Sequence, residues 1–288
     1  RAWEKGGLRF RSVFHDLLNS SQANNTAAEF IKSKIRKIVK NPETAHTLSD
    51  IDHPYAAKRQ PIDTNYFETF NKQSVTLVDL KVDPISEIIP SGVLLKSGAE
   101  HKLDTLVFAT GFDAMTGPLL NLDITGRTEP LTDYWRAGPL SYLGLAIPNF
   151  PNMFTITGPG SPSVLTNMPV SIEQHVDWIT DCINFCMQND VETIEAEVGA
   201  AEGWVAHVRE AADVTLLPEA KNSWYWGANI PGKPRVFMPY AGGLVRYREI
   251  CESAARDGYT GFSFLQRGHK KIMNKLDYQQ WLYDGLGV

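Results

Sequence analysis

Three segments of the 288-residue sequence combine residue types that could hold a ligand. Gly158-Pro-Gly-Ser-Pro-Ser-Val-Leu-Thr-Asn-Met168 lies between a strand-like run and a helix-like run. Glycines let backbone amides turn outward there. The helix start adds a positive field, so the segment suits an electron-rich ring edge. It is not a nucleoside-phosphate loop, because the G-x-x-x-x-G-K pattern is missing. Ser223-Trp-Tyr-Trp-Gly-Ala-Asn-Ile-Pro-Gly-Lys-Pro-Arg235 sets three adjacent aromatics before Gly, Pro and two bases. A loop exposing rings and cations suits a planar, anionic ligand. Phe108-Ala-Thr-Gly-Phe-Asp113 is an apolar run ending in a glycine turn, where a backbone can approach a ligand closely. The plainer alternatives are a helix entry rich in turn residues, a packed surface loop and a core strand.

The elements that must carry these segments are legible in outline. Thr26-Ala-Ala-Glu29 has the form of a capping box, and Phe30, Ile31, Ile35, Ile38 and Val39 follow as one apolar stripe that Pro42 ends. Residues 48–63 read as a loop, with a short helix over 66–70. Ser74–Asp79 is β-branched, and 85–89 and 93–96 flank the hairpin-like turn Pro90-Ser-Gly92. Residues 104–110 predict a central parallel strand buried on both faces, and 152–157 has a similar form. Pro169 suits the first turn of a helix capped by Asn167. Its buried stripe is expected to be Ile172, Val176, Ile179, Ile183, Cys186 and Met187. Two further helices are marked by Trp204, Val205, Val208, Ala211 and Ala212, and by 244–255.

Composition limits the function classes. The chain is 43% hydrophobic and 21% charged, ordinary for a globular protein with a sizeable core. A net charge of -5 argues against nucleic acid as a partner, and the basic run Lys32–Lys40 reads as the solvated face of a helix. No apolar run reaches the length of a membrane span, and no His or Cys spacing suggests a metal. Cys182, Cys186 and Cys251, with no targeting segment, suggest a reducing, cytoplasmic setting. Cys182 and Cys186 read as small apolar residues rather than a redox pair. The start, Arg1-Ala-Trp-Glu-Lys-Gly-Gly, has no initiator Met, so the chain is expected to begin within a longer protein.

Five motifs occur in order: Ala57-Lys-Arg-Gln-Pro, Ala-Thr-Gly-Phe-Asp113, Gly158-Pro-Gly-Ser-Pro-Ser, Asn167-Met-Pro-Val-Ser-Ile-Glu-Gln-His-Val176, and Gly227-Ala-Asn-Ile-Pro-Gly-Lys-Pro-Arg235. Together they resemble the flavin-dependent Baeyer–Villiger monooxygenases, of the phenylacetone and cyclohexanone monooxygenase kind. The resemblance runs from residue 1 to about 265. It implies an α/β fold, an incomplete two-dinucleotide-binding (Rossmann-like) flavoprotein. Residues 1–110 would be the C-terminal part of the NADP-binding domain and 111–265 that of the FAD-binding domain, with a tail over 266–288. The implied cofactors are FAD and NADPH, and the implied substrates a ketone and O2, giving an ester or lactone through a flavin C4a-peroxide.

The resemblance also implies roles. Arg59 matches an arginine beside the flavin, where a permanent cation with a fixed donor fork would stabilise anions formed in the reaction. Lys58 would touch the NADP nicotinamide ribose or phosphate. Trp224 matches a tryptophan that packs against NADP and shapes the substrate pocket, and Met168 a methionine near the isoalloxazine. Gly111 and Asn167 belong to the cofactor-binding turns. Pro162, Ser163, Val164 and Leu165 match the loop lining the ketone pocket, with Val164 tuning substrate size.

The departures are as informative. The family's G-x-G-x-x-G after a strand, which seats the FAD pyrophosphate on a helix start, is absent, as is the second glycine-rich motif for NADPH. So are the F-x-G-x-x-x-H-x-x-x-W fingerprint and an early aspartate assisting the arginine. The expected partner is therefore the N-terminal half of the same enzyme, and the isolated chain is expected to be inactive. A related N- or S-oxidising flavin monooxygenase and a non-catalytic remnant without flavin are the alternatives.

Overall fold

The computed structural model describes residues 2–268 and 271–273. Among these residues the chain forms two compact units: 2–56 with 60–112, and 57–59 with those from 113 on.

In the first unit, helix α1 (Ser21–Ile38) starts where Ser20 accepts a hydrogen bond from the Ala23 amide, 3.3 Å. Thr26 is therefore not a cap. It sits inside the helix and returns its hydroxyl to the Gln22 carbonyl, as a mid-helix threonine does. Pro42 does not stop α1. It opens a second helix, α2 (Pro42–Ser49), capped by the Asn41 side chain. Ile35, Val39 and Ala45 form a core between them. Buried Asn24 donates to the carbonyls of Leu17 and Tyr55 and accepts from the Tyr55 amide, fixing Tyr55 on α1. One helical turn covers Tyr66–Thr69. The hairpin expected around Pro90-Ser-Gly92 is present: β1 (Ile85–Ile89), β2 (Gly92–Leu95) and β3 (Glu100–Lys102) make an antiparallel meander.

Two expected strands of this unit are absent. Residues 75–79 have no regular structure, and 104–112 belong to no described strand. Val107, Phe108 and Phe112 are 77%, 70% and 87% exposed. A buried parallel strand exists only when two neighbours satisfy its backbone and elements cover its faces. No described strand does so here.

The second unit holds the larger core. Helix α3 (Met168–Gln188) is followed by β4 (Val191–Ala196), α4 (Val198–Asp213), α5 (Leu244–Arg256), β5 (Phe262–Gln266) and β6 (Lys271–Met273). The three strands form an antiparallel sheet in that order. Fully buried Trp204, Tyr142, Tyr247 and Phe262 lie at the centre. Residues 152–157 are not a strand. They make a single bridge at Phe154 and a hydrogen bond from the Asn152 amide to Ile194. Of the tail expected over 266–288, Gln266 ends β5 and 271–273 form β6, while 269–270 and 274–288 lie outside the described residues.

The face that α3 buries also differs from expectation. Its core side carries Ser171, His175, Trp178 and Cys182. Ile172, Val176, Ile183 and Met187, expected inside, are exposed. The helix has two apolar sides, and hydrophobic periodicity registered only the more strongly apolar one. The other is anchored by hydrogen bonds: Trp178 Nε1 donates to the Cys251 carbonyl at 2.8 Å.

Candidate active site

The glycine-rich segment is held from several sides within the second unit. The Gly160 amide donates to the Met238 carbonyl at 2.6 Å, and the Tyr240 amide to the Ser161 carbonyl at 2.8 Å. Ser141 Oγ donates to the Pro159 carbonyl, and Trp204 Nε1 to the Gly160 carbonyl at 3.1 Å. Gly160 has φ +88°, and a Cβ there would stand 2.8 Å from Trp204 Nε1, so both backbone and space require glycine. At the entrance, the Thr157 amide donates to Nδ1 of buried His175 at 2.8 Å. That nitrogen must therefore be bare. The proton sits on Nε2, 3.0 Å from Tyr247 Oη, which itself donates to the Leu143 carbonyl at 2.6 Å. Burial lowers the His175 pKa to about 4, so this relay keeps a neutral imidazole.

Beyond Gly160 the chain makes one 3-10 turn, Ser163–Leu165, with Ser163 buried at φ +39°. The Ser163 hydroxyl lies 3.5 Å from Met115 Sδ and 3.8 Å from Met168 Sδ. Val164, Leu165 and Met168 are half-buried and Pro162 is buried. Asn167 occupies the cap position of α3, exposed, and its side chain makes no capping hydrogen bond. The Ser171 hydroxyl, in the first turn, is buried without a partner. The helix start thus retains donor capacity.

Arg59 belongs to the same unit as this turn and donates from Nη1 to the Val164 carbonyl at 2.9 Å. The Arg59 side chain is exposed, Lys58 half-buried and Ala57 fully buried in the core that Val164 and Leu165 pack against. One fixed cation is therefore joined to the expected ketone-lining turn, although 105 residues separate them.

Trp224 opens a second 3-10 turn, Trp224–Trp226, capped by Ser223 and closed by Gly227 at φ +67°. Its indole is half-buried, with ring centroids 4.6 Å from Tyr225. The Tyr225 carbonyl accepts from the Met238 amide at 2.9 Å. The strip 238–240 therefore bonds to both turns, Trp224–Trp226 on one side and 160–161 on the other. Lys233 makes an ion pair with Asp113 and donates to the Ala114 carbonyl at 3.3 Å.

Residues Arg59, Lys58, Pro162, Ser163, Val164, Leu165, Asn167, Met168 and Trp224 thus share one unit, and Gly111 falls in the other. The residues that hold the turns are Ser141, His175, Trp204, Met238, Tyr240 and Tyr247. Their contacts span long sequence separations, and no local pattern announces them. Among the described residues no His, Cys, Asp and Glu cluster could hold a metal, and no helix is long and apolar enough to cross a membrane.

No family model matches the sequence. Over 262 residues the chain is 45% identical to a Baeyer–Villiger monooxygenase of Pseudooceanicola batsensis, covering 90% of this chain and 47% of that protein. Over 263 residues it is 43% identical to the phenazine N-monooxygenase PhzNO1 of Lysobacter antibioticus, covering 90% of this chain and 48% of that protein. The fold matches cyclohexanone monooxygenase of Rhodococcus sp. Phi1 bound to NADP+ with TM-score 0.88 at 40% identity, over 92% of this chain and 50% of that one. The chain spans about half the length of these relatives. It is homologous to that part of the flavin monooxygenases, and its fold is an incomplete two-dinucleotide-binding, Rossmann-like flavoprotein fold.

Proposed function

We propose that this chain is the C-terminal half of a flavin-dependent Baeyer–Villiger monooxygenase. The whole enzyme would convert a ketone, O2, NADPH and a proton to an ester or lactone, NADP+ and water. Residues 1–110 would contribute to the NADP-binding domain and 111–265 to the FAD-binding domain. The cytoplasm suits its free cysteines, Cys182, Cys186 and Cys251.

The observation that carries this reading is the hydrogen bond from Arg59 to the Val164 carbonyl. It puts a permanent cation at the turn that would line the ketone pocket. Negative charge developing on the ketone oxygen would be stabilised by such a donor, whose charge is permanent and whose position is set by the bond to Val164. The residues present also fit a planar electron-rich cofactor. The start of α3 lacks a side-chain cap, and the Ser171 hydroxyl there is buried and unpartnered. Met168 and Asn167 would border the isoalloxazine, Gly111 would lie in a cofactor-binding turn, and Lys58 and Trp224 would hold the nicotinamide end of NADPH. FAD, when bound, supplies the two-electron activation of O2. Pro162, Ser163, Val164 and Leu165 exclude water and set the space for the ketone.

The test joins the chain to the part of the Pseudooceanicola batsensis relative that lies outside the matched span, then measures ketone-dependent NADPH oxidation and product. An ester supports the reading. Bound flavin and NADPH oxidation without ester, over a panel of cyclic and aryl ketones, counts against it. The similarity to a phenazine N-monooxygenase favours a second reading, oxygen transfer to a heteroaromatic nitrogen, which an N-oxide product would reveal. Alone, the chain is expected to purify without flavin absorption bands and without activity.

A further inference from the structure

Helix α3 presents three longitudinal faces. Ser171, His175, Trp178 and Cys182 point into the core. Glu173, Asp177 and Asp181, spaced four apart, are exposed and form an acidic side. Between these two runs the stripe Ile172, Val176, Ile179, Ile183 and Met187, spaced by four, three, four and four residues. Ile172, Val176, Ile183 and Met187 are 38%, 43%, 46% and 73% exposed, while Ile179, at the stripe's inner edge, is half-buried against the unit's own core. At 1.5 Å per residue the stripe is about 22 Å long, the span of four helical turns. A helix needs one apolar side to dock on its own core, so a second regular stripe indicates a second packed neighbour. The acidic side already provides the solvated face.

From this we infer that the Ile172–Met187 stripe is a docking surface for an amphipathic helix in the half of the two-dinucleotide fold that this chain does not span. The inference rests on the functional reading above and deepens it by naming the contact. The choice of occupant follows from the comparison. The Rhodococcus structure matches 92% of this chain with TM-score 0.88, yet as much chain again lies outside the match. A stripe recurring every three to four residues suits a helix laid along it, with side chains interdigitating as in helix–helix packing. It does not suit a basic peptide, which the acidic side would attract instead.

The experiment uses the full chain co-expressed with the unmatched part of the Pseudooceanicola batsensis relative as the probe. Single cysteines are placed by Val176→Cys and Ile183→Cys on the stripe and by Asp177→Cys on the acidic side, in a background where Cys182, Cys186 and Cys251 are replaced by alanine. Maleimide labelling of the two stripe positions is expected to slow by about tenfold or more in the co-purified complex, as for any site buried by a stable contact, while position 177 keeps its rate. Ile183→Glu is expected to abolish co-purification and leave the melting temperature of the chain alone unchanged. Unslowed labelling in a complex that forms, no co-purification of the unsubstituted pieces, or a stripe already protected by dimers of the chain alone would each overturn the inference. The functional reading fails separately: a protected stripe without flavin or ester sinks that reading and leaves this surface standing. Ester formation with a fully labelled stripe does the reverse.

Discussion

Residues 104–112 and 158–165 make an instructive pair. Both are runs that end in or contain glycine turns, and both resemble ligand-contacting segments. The second is held by backbone bonds to Met238 and Tyr240, side-chain bonds from Ser141 and Trp204, and the His175 relay at its entrance. The first pairs with no strand among the described residues, and its large apolar side chains face outward. A turn built from bonds to its own unit takes its shape from this chain alone, whereas a parallel strand takes its shape from neighbours. Under the proposed function, 158–165 arrives preformed and 104–112 waits for strands supplied by the rest of the enzyme.

That contrast can be broken by mutation of the chain alone. The largest effect is expected from Trp204→Ala, which removes a fully buried ring and the donor to Gly160. Chemical denaturation should register a loss of about 3–5 kcal/mol. Acid should act nearly as strongly through His175. Its folded pKa of about 4 lies below the ordinary 6.5 of the unfolded chain, so between those values the unfolded state binds the proton. The stability contribution is complete above 6.5 and declines as pH falls toward 4, by about 3 kcal/mol in all, at 1.36 kcal/mol per pH unit. A urea midpoint series across that range should show the slope, and the His175→Gln variant should flatten it. Tyr247→Phe comes next. It strands the Leu143 carbonyl and the His175 Nε2 proton, and should cost about 1–3 kcal/mol in the same melts. Smallest of all are Val107→Ser and Phe108→Ser. In the isolated chain each should shift stability by less than about 0.5 kcal/mol, as exposed positions do. A loss comparable to that of Trp204→Ala would mean that 104–112 is packed after all, and the contrast would vanish.

The parts legible in the sequence are those governed by local chemistry. Pro169 and Asn167 mark the start of α3, Pro90-Ser-Gly92 gives the β1–β2 hairpin, and the Trp204–Ala212 periodicity gives α4. The start of α1 is not legible, because Thr26-Ala-Ala-Glu29 satisfies the capping pattern while Ser20, six residues earlier, caps the helix. For the candidate site, Arg59 and the 162–165 turn stand in recognisable motifs, but nothing local in the sequence joins Arg59 to the Val164 carbonyl. The choice of core face on α3 was also out of reach. Periodicity detects an apolar stripe without saying which neighbour covers it, and His175 looks polar until Thr157 and Tyr247 are seen to satisfy the imidazole.

The most direct test of the account is product analysis of the completed enzyme under 18O2, offered a ketone and a heteroaromatic amine together, with Arg59→Ala run in parallel. The account predicts an ester carrying one labelled oxygen, and a fall of about 10²–10³-fold in its rate when the guanidinium is removed. Undiminished ester from Arg59→Ala, or labelled N-oxide as the sole product, would contradict it.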